Sequence, residues 1–129
     1  MAKVYEFLAN GFEEVEGLAP VDILRRGGVD IKTVSVTGTP WVETSHGITL
    51  KADLTIEEAD LSDADMLLLP GGLPGATNLH DHEGVRKAWW LRLLRADALA
   101  LSVQLRWCWG RWVCSKARRP LATLASKSL

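Results

Sequence analysis

The chain has 129 residues, of which 47% are apolar and 24% charged, and its formal net charge at pH 7 is −1. This composition is typical of one folded domain and excludes intrinsic disorder, a collagen-like repeat and a disulfide-rich secreted scaffold. No apolar run approaches the ~18 residues that a membrane span needs, and the N-terminus does not resemble a signal peptide. With two cysteines and no secretory segment, a cytoplasmic protein is predicted.

Charge and tryptophan are distributed unevenly along the chain. Residues 1–88 carry 15 acidic and 7 basic side chains, whereas residues 89–129 carry 1 acidic and 8 basic side chains. Five of the six tryptophans lie in the second segment, within 24 residues of one another. Such asymmetry between segments requires an explanation. We therefore predict two regions, 1–88 and 89–129, of different character.

The first region begins with a predicted strand, helix and strand. Lys3–Ala9 is a short apolar run and predicts a strand. The acidic residues of Glu13–Glu16 suit the first turn of a helix, where free N–H groups and the helix dipole favour negative charge. Gly27-Gly28 is a good C-terminal stop for that helix. Asp30–Thr37 alternates between apolar and polar residues and predicts a second strand.

The remainder of the first region predicts a hairpin and one buried strand. Ile48–Ala52 is the second strand of the predicted hairpin, and Thr55–Asp60 is expected to form one or two helical turns. Met66–Leu69 is a continuous apolar run, typical of a strand buried on both faces of a parallel sheet. Pro70-Gly71-Gly72 ends it. This order of elements predicts an α/β fold with a parallel sheet between helices.

Candidate site residues lie in the segments that follow two predicted strands, because the active crevice of such a sheet lies beyond the carboxyl ends of its strands. Glu16 could act there as a general acid or base, or it could be a solvated residue that complements the helix dipole. Gly71 and Gly72 could present backbone N–H groups to a carbonyl oxygen or an anion. Alternatively, they provide only the unusual backbone angles of a tight strand exit.

The three histidines are His46, His80 and His82. His80-Asp81-His82 could hold a metal ion, but no cysteine or further histidine stands at ligand spacing. A loop without a metal is the favoured interpretation.

Residues 1 to about 88 resemble the ThiJ/PfpI family, which includes the parkinsonism-associated protein deglycase. The resemblance is carried by Ala9–Glu16 (ANGFEEVE), Pro20–Gly28 (PVDILRRGG), Leu69–Gly72 (LPGG) and Gly75–Leu79 (GATNL). It implies a flavodoxin-like fold of the class I glutamine-amidotransferase-like superfamily, usually assembled as a homodimer.

The same resemblance implies chemistry on small aldehydes or glycated groups, with no cofactor. Activities attributed to the family include glyoxalase, deglycase, peptidase and chaperone functions. The nucleophile would be a cysteine at a strand-to-helix elbow, hydrogen-bonded to Glu16, with the amides of Gly71 and Gly72 shaping the oxyanion site. The substrate would be a small aldehyde or a glycated group, with no membrane or nucleic-acid partner.

The segment after residue 88 does not continue the family pattern. Neither Cys108 nor Cys114 stands in the Cys-Ala-Ala/Gly-Pro setting that the elbow requires, and family chains run nearly half as long again. We therefore expect a C-terminally truncated fold. Without its nucleophile, the chain as written is expected to be inactive, because covalent catalysis has no starting group.

Back-translation offers a reason for the loss of the pattern. When each codon is read from the third base of the codon used here, the genetic code forces Trp107 to Val, Cys108 to Leu, and both Trp109 and Trp112 to Gly. With suitable free bases, residues 101–128 read V-C-A-A-P-M-V-L-G-A-L-G-V-L-K-G-K-A-A-T-C-Y-P-G-F-E-K-S, which resembles the family's elbow and the segment after it. The cysteine would straddle the codons of Ser102 and Val103.

This rereading predicts a one-base deletion, or an equivalent two-base insertion, between about Lys87 and Leu101. The alternative is a genuine tail with a binding function. Trp89, Trp90, Arg92, Leu93, Leu94 and Arg95 could form a basic amphipathic helix for a membrane surface or a partner. The basic, tryptophan-containing segment Arg106–Arg119 could stack on single-stranded nucleic acid.

Overall fold

A computed structural model describes residues 2–94 and 98–101 of the chain. Its elements, in chain order, are β1 (Lys3–Leu8), α1 (Glu14–Arg26), β2 (Asp30–Ser35), β3 (Trp41–Glu43), β4 (Thr49–Lys51), β5 (Leu54–Thr55), β6 (Met66–Leu69), α2 (Gly75–Asp81), α3 (Glu83–Leu94) and β7 (Ala98–Leu101).

The main sheet has five strands in the order β5-β2-β1-β6-β7, and every neighbouring pair is parallel. β3 and β4 form a separate antiparallel hairpin. The chain moves from β1 outward to β2 on one side and from β6 outward to β7 on the other. The strand order therefore reverses between β1 and β6, which is the position where α/β sheets place their binding crevice.

Helices cover the sheet on both faces. On one face, Phe7, Leu67 and Leu69 pack with residues of α2 and α3. On the other face, Val21 of α1 packs against Val4 and Ile31. The alternation of β6 residues between these faces explains its continuous apolar sequence. The predicted flavodoxin-like sheet flanked by helices is confirmed.

Helix α1 begins and ends where the sequence predicts. The Glu13 carboxylate accepts a hydrogen bond from the Glu16 backbone N–H at 2.8 Å, which satisfies one of the free donors of the first turn. At the other end, the Gly27 N–H donates to the carbonyl of Ile23 at 3.0 Å.

The segment Thr55–Asp60 contains a single turn, the shorter of the two lengths that the sequence predicts. It forms a turn and no regular helix, with the N–H groups of Glu58 and Ala59 both donating to the Thr55 carbonyl. The preceding residues Leu54 and Thr55 form β5, which the sequence pattern does not predict, because a strand of two residues shows no periodicity.

The segment of the amphipathic-helix alternative, Trp89–Arg95, is described up to Leu94 and forms the end of α3. Trp89 is buried in the core between α3 and the sheet. Arg92 is buried too, and its guanidinium donates to the carbonyl of Leu61. These two side chains face the protein, whereas Leu94 is 66% exposed, and a binding role of this segment stays an alternative. Arg106–Arg119, Cys108 and Cys114 lie outside the described residues.

None of the helices in the described ranges combines the length and apolarity needed to cross a bilayer.

A candidate catalytic site at the carboxyl edge of the sheet

The loops that follow β1 and β6 are hydrogen-bonded to each other. The Glu13 N–H donates to the Gly71 carbonyl at 2.9 Å, and the Gly75 N–H donates to the Gly11 carbonyl at 3.1 Å. The side-chain amide of Asn78 adds a bond to the Asn10 carbonyl at 2.8 Å. The first turn of α1 and the glycine turn after β6 are thereby held side by side where the strand order reverses.

Gly72 allows the two loops to approach this closely. Its φ of +97° lies in the region that favours glycine, and an added Cβ would stand 2.4 Å from the Glu13 nitrogen. Gly71 and Gly72 are both buried. Gly71 and Gly72 therefore form a tight strand exit, one of the two interpretations that the sequence allows. A role of their N–H groups in binding an oxyanion remains a prediction.

Glu16 lies in the first turn of α1, one helical turn beyond the Glu13–Gly71 contact. Its backbone N–H is held by the Glu13 carboxylate at 2.8 Å, while its side chain is exposed. The structure therefore brings Glu16 to the same edge of the sheet as Gly71 and Gly72. Its catalytic role remains a prediction.

A third segment, the β3–β4 hairpin, joins this edge through His46. The His46 N–H donates to Glu14 Oε1 at 2.9 Å, and the imidazole Nδ1 lies 2.8 Å from Glu14 Oε2. The Ser45 N–H donates to the Phe12 carbonyl at 2.8 Å. Sequence reasoning placed His46 only among candidate metal ligands. Its contact with Glu14 joins residues 32 positions apart, and no short motif connects them.

The contact between Glu14 and His46 changes the titration of both groups. The hydrogen bond from His46 lowers the pKa of Glu14 to about 2. The Glu14 carboxylate, in turn, raises the pKa of His46 above its ordinary value. The two groups form an ion pair when His46 is protonated.

Histidines 80 and 82 have local structural roles. The Nδ1 atom of His82 accepts a hydrogen bond from the Val85 N–H at 3.3 Å, at the start of α3. His80 contacts its neighbour Asp81. Within the described ranges, one group has metal-ligand character: atoms of Glu13, Glu14 and His46 lie within 4.8 Å of one another. Glu13 already caps α1 and Glu14 already pairs with His46, so these contacts account for the group without an ion.

The end of β7 lies at the same edge of the sheet. Leu101, the last residue of β7, is in register with Leu69, the last residue of β6. The ends of β6 and β7 therefore lie side by side at this edge.

Comparison with known proteins identifies what the chain is similar to. The family model described as the DJ-1/PfpI family matches residues 2–97, which runs past the boundary predicted at residue 88. Protein DJ-1 homolog B of Arabidopsis thaliana is 38% identical over 85 residues, which are 66% of this chain and 19% of that protein. The Parkinson disease protein 7 homolog of Danio rerio is 37% identical over 81 residues, covering 62% and 43% of the two chains.

Solved structures show the same similarity. Oxidized DJ-1 of Toxoplasma gondii superposes with a TM-score of 0.75 at 30% identity, covering 78% of this chain and 55% of that one. A cysteine-to-alanine mutant of a DJ-1 superfamily protein from Salmonella typhimurium gives a TM-score of 0.75 at 33% identity, with the same two coverages. The chain thus spans about half the length of these structures, and less of the curated relatives.

Proposed function

Because the chain belongs to the DJ-1/PfpI family, we propose that its gene specifies a cysteine-dependent enzyme acting on small aldehydes or glycated groups. The reaction is of the glyoxalase or deglycase type. We further propose that the polypeptide as written is inactive, because residues 89–129 lack the elbow cysteine. The observation that carries the proposal is the Glu13–Gly71 hydrogen bond of 2.9 Å, which joins the first turn of α1, where Glu16 lies, to the glycine turn.

In the complete site, the cysteine thiol transfers its proton to the Glu16 carboxylate. The thiolate then forms a carbon–sulfur bond with the aldehyde carbon, while the electron pair of the carbonyl moves to its oxygen. Amide N–H groups of Gly71 and Gly72 stabilise the resulting oxyanion, and protonated Glu16 can return the proton to it. No cofactor takes part in this addition.

The names of two solved relatives support a cysteine-centred site. The Salmonella typhimurium protein is a cysteine-to-alanine mutant, and the Toxoplasma gondii protein is named as oxidized. A thiolate is both a strong nucleophile and easily oxidised. A reducing cytoplasm, predicted for this chain, suits such a group.

We propose that the cysteine is encoded one frame over, across the codons of Ser102 and Val103. The end of β7 supports this position, because Leu101 is in register with Leu69, which stands two residues before Gly71. On this proposal, residues 1–88 are the N-terminal part of the domain and residues 89–129 include out-of-frame sequence. The nucleotide sequence tests it directly, because codons that do not give V-C-A-A-P one frame over would contradict it.

Methylglyoxal turnover tests the function. The chain as written is expected to show none, whereas a frame-restored chain is expected to turn over methylglyoxal. Glu16→Gln in the frame-restored chain should reduce kcat by about 10²- to 10⁴-fold, the usual contribution of a general acid or base. Glu57→Gln, an exposed site far from the glycine turn in sequence, is the matched control. Turnover by the chain as written that Cys108→Ser or Cys114→Ser abolishes would contradict the proposed inactivity.

We propose that the family domain assembles as a homodimer through the first turns of α1 and the adjacent hairpin. Val15 and Ile48 support this surface, because they are 70% and 53% exposed, large and apolar, and flank the Glu14–His46 pair in sequence. Exposed apolar patches of this kind mark association surfaces. A small aldehyde remains the proposed partner of the site, with no membrane or nucleic-acid ligand.

A further inference from the structure

Glu6 lies on the face of β1 that α1 covers. Side chains alternate between the two faces of a strand, so Val4, Glu6 and Leu8 share one face. Val4 packs with Val21 of α1. Leu8 packs with Phe12, whose ring lies against the first turns of α1. Glu6 stands between these two contacts and is 1% exposed, so its carboxyl group lies beneath α1.

The neighbouring strands do not supply a hydrogen-bond donor to this carboxyl group. Thr33 of β2 and Leu68 of β6 stand opposite Glu6 in the sheet. The Thr33 hydroxyl is engaged with Asp53, because it donates to Oδ2 at 3.1 Å and accepts from the Asp53 N–H at 2.9 Å. No N–H or O–H group of the described residues donates to Oε2 of Glu6. A buried polar group without a partner costs free energy, and α1 is the remaining element from which a partner can come.

Pro20 leaves one main-chain carbonyl of α1 without its usual donor. Proline has no N–H, so the helical bond from residue 20 to the Glu16 carbonyl cannot form. A helical carbonyl points toward the residue four positions further on. The Glu16 carbonyl therefore points toward Pro20, which is half-buried and precedes Val21, the residue that packs against β1.

Burial determines which protonation state of Glu6 meets this carbonyl. It raises the pKa of Glu6 to about 9 and is the sole cause of the shift. The residues that face Glu6 from the neighbouring strands and from α1 have no titratable group; they are Thr33, Leu68, Gly17 and Val21. A neutral carboxyl group has one O–H donor, whereas an ionised one has only acceptors. At pH 7, Glu6 can therefore donate a hydrogen bond to a carbonyl.

We propose that the protonated carboxyl group of Glu6 donates a hydrogen bond to the main-chain carbonyl of Glu16, in place of the helical bond that Pro20 removes. Glu6 is then a positioning residue, because it fixes the first turns of α1 on the sheet and with them the side chain of Glu16. The catalytic part of this inference rests on the proposed function, whereas the hydrogen bond itself does not. Ionised Glu6 has no proton to donate, so the contact is lost at alkaline pH.

NMR spectroscopy of the 129-residue chain tests the hydrogen bond without any catalysis. With carbon detection, the chemical shift of the Glu16 carbonyl carbon should titrate with an apparent pKa of about 9. Glu6→Gln, whose side-chain amide also donates, should abolish this titration. The Leu18 carbonyl, which keeps its helical donor, is the internal control and should not follow Glu6. A Glu16 carbonyl that does not respond, or that titrates equally in Glu6→Gln, would overturn the inference.

Methylglyoxal kinetics of the frame-restored chain test the positioning role. Glu6→Leu should lower kcat by about 10- to 100-fold with little change in KM, because a small displacement of Glu16 slows the reaction. Glu6→Gln should restore most of the rate and, unlike the original residue, retain it above about pH 9. Glu57→Leu, at an exposed site, is the matched control. Circular dichroism shows that the Glu6→Leu variant is folded, as expected for an apolar side chain in a buried position.

Pro20→Ala gives an independent test, because alanine supplies the missing N–H. In this background the Glu16 carbonyl is bonded within the helix, so Glu6→Leu should no longer lower kcat. An equal loss in both backgrounds would overturn the positioning role.

The two experiments separate this inference from the proposed function. An inactive frame-restored chain, together with a Glu16 carbonyl that titrates with Glu6, would contradict the proposed function alone. An active frame-restored chain whose Glu16 carbonyl does not titrate would contradict the present inference alone.

Discussion

Glu6 is the most unusual single residue of the sheet, because it is an acidic side chain buried in the central strand. It is 1% exposed, and its Oε2 atom accepts no hydrogen bond from any described residue. Burial raises the pKa of Glu6 to about 9. The carboxyl is therefore neutral in the folded protein at pH 7, whereas it is ionised in the unfolded chain.

This difference makes the stability of the fold depend on pH. Between pH 4.5 and 9, the folded state binds a proton at Glu6 that the unfolded state has released, so stability falls as the pH rises. At pH 7 the loss is about 3 kcal/mol relative to pH 4.5. We predict that Glu6→Leu removes this slope and stabilises the protein at pH 7 by a similar amount. Urea unfolding at several pH values measures the free energy of unfolding, and therefore both the slope and the stabilisation. Glu57→Leu, at an exposed site, should leave the slope in place.

At low pH, the Glu14–His46 pair makes the stability of the fold fall as the pH falls, which is opposite to the effect of Glu6. Glu14, whose pKa is lowered to about 2, stabilises the fold above its ordinary pKa, and this contribution is lost as the pH falls. His46, whose pKa is raised, contributes below its ordinary value and loses its contribution as the pH rises through the raised pKa. We predict that His46→Gln lowers the unfolding midpoint most at about pH 5–6 and least at about pH 9. An equal effect at both pH values would show that the charge of His46 is unimportant.

Among the elements, the junction between α1 and the turn after β6 is the most sensitive to substitution. Gly72 and Gly28 both have positive φ angles, +97° and +81°, but an added Cβ meets the Glu13 backbone only at Gly72. Gly28→Ala should therefore lower the free energy of unfolding by about 1 kcal/mol, through backbone strain alone. Gly72→Ala should lower the free energy of unfolding by about 1–3 kcal/mol more than Gly28→Ala does, because the two loops must separate. Urea unfolding of the two variants compares them, and equal losses would mean that the loops adjust freely.

Local patterns account for the elements that were predicted. β1 and β6 follow from apolar runs, and the bounds of α1 follow from Glu13 and Gly27, whose capping groups act within one turn. β5 was missed because two residues show no pattern, and its pairing depends on Val34 and Ser35 in another strand. The His46–Glu14 contact was missed for a similar reason: only the path of the hairpin brings those residues together. Glu16 and Gly71-Gly72 follow two neighbouring strands, β1 and β6, so strand order alone brings their loops to one edge, while their roles stay predictions.

At the scale of the whole molecule, the exposed apolar side chains of the first turn of α1 and of the hairpin, Val15 and Ile48, predict self-association. Val15→Arg should shift the protein toward the monomer, since it places a charge at the centre of the proposed dimer surface. Ile23→Arg, at a 66% exposed position further along α1, is the matched control and should leave the association unchanged. Light scattering across a range of concentrations measures the effect. A monomer at every concentration before substitution would contradict the proposed dimer.

The position of β1 between β2 and β6 has a consequence for the order of events during synthesis. Val4 pairs with Ile31 on one side and with Met66 on the other, so β1 stays half-paired until β6 has been made. Closing so long a loop is slow compared with local helix formation. Until β6 is made, β1 therefore presents an unpaired strand edge, with which a strand of another chain could pair.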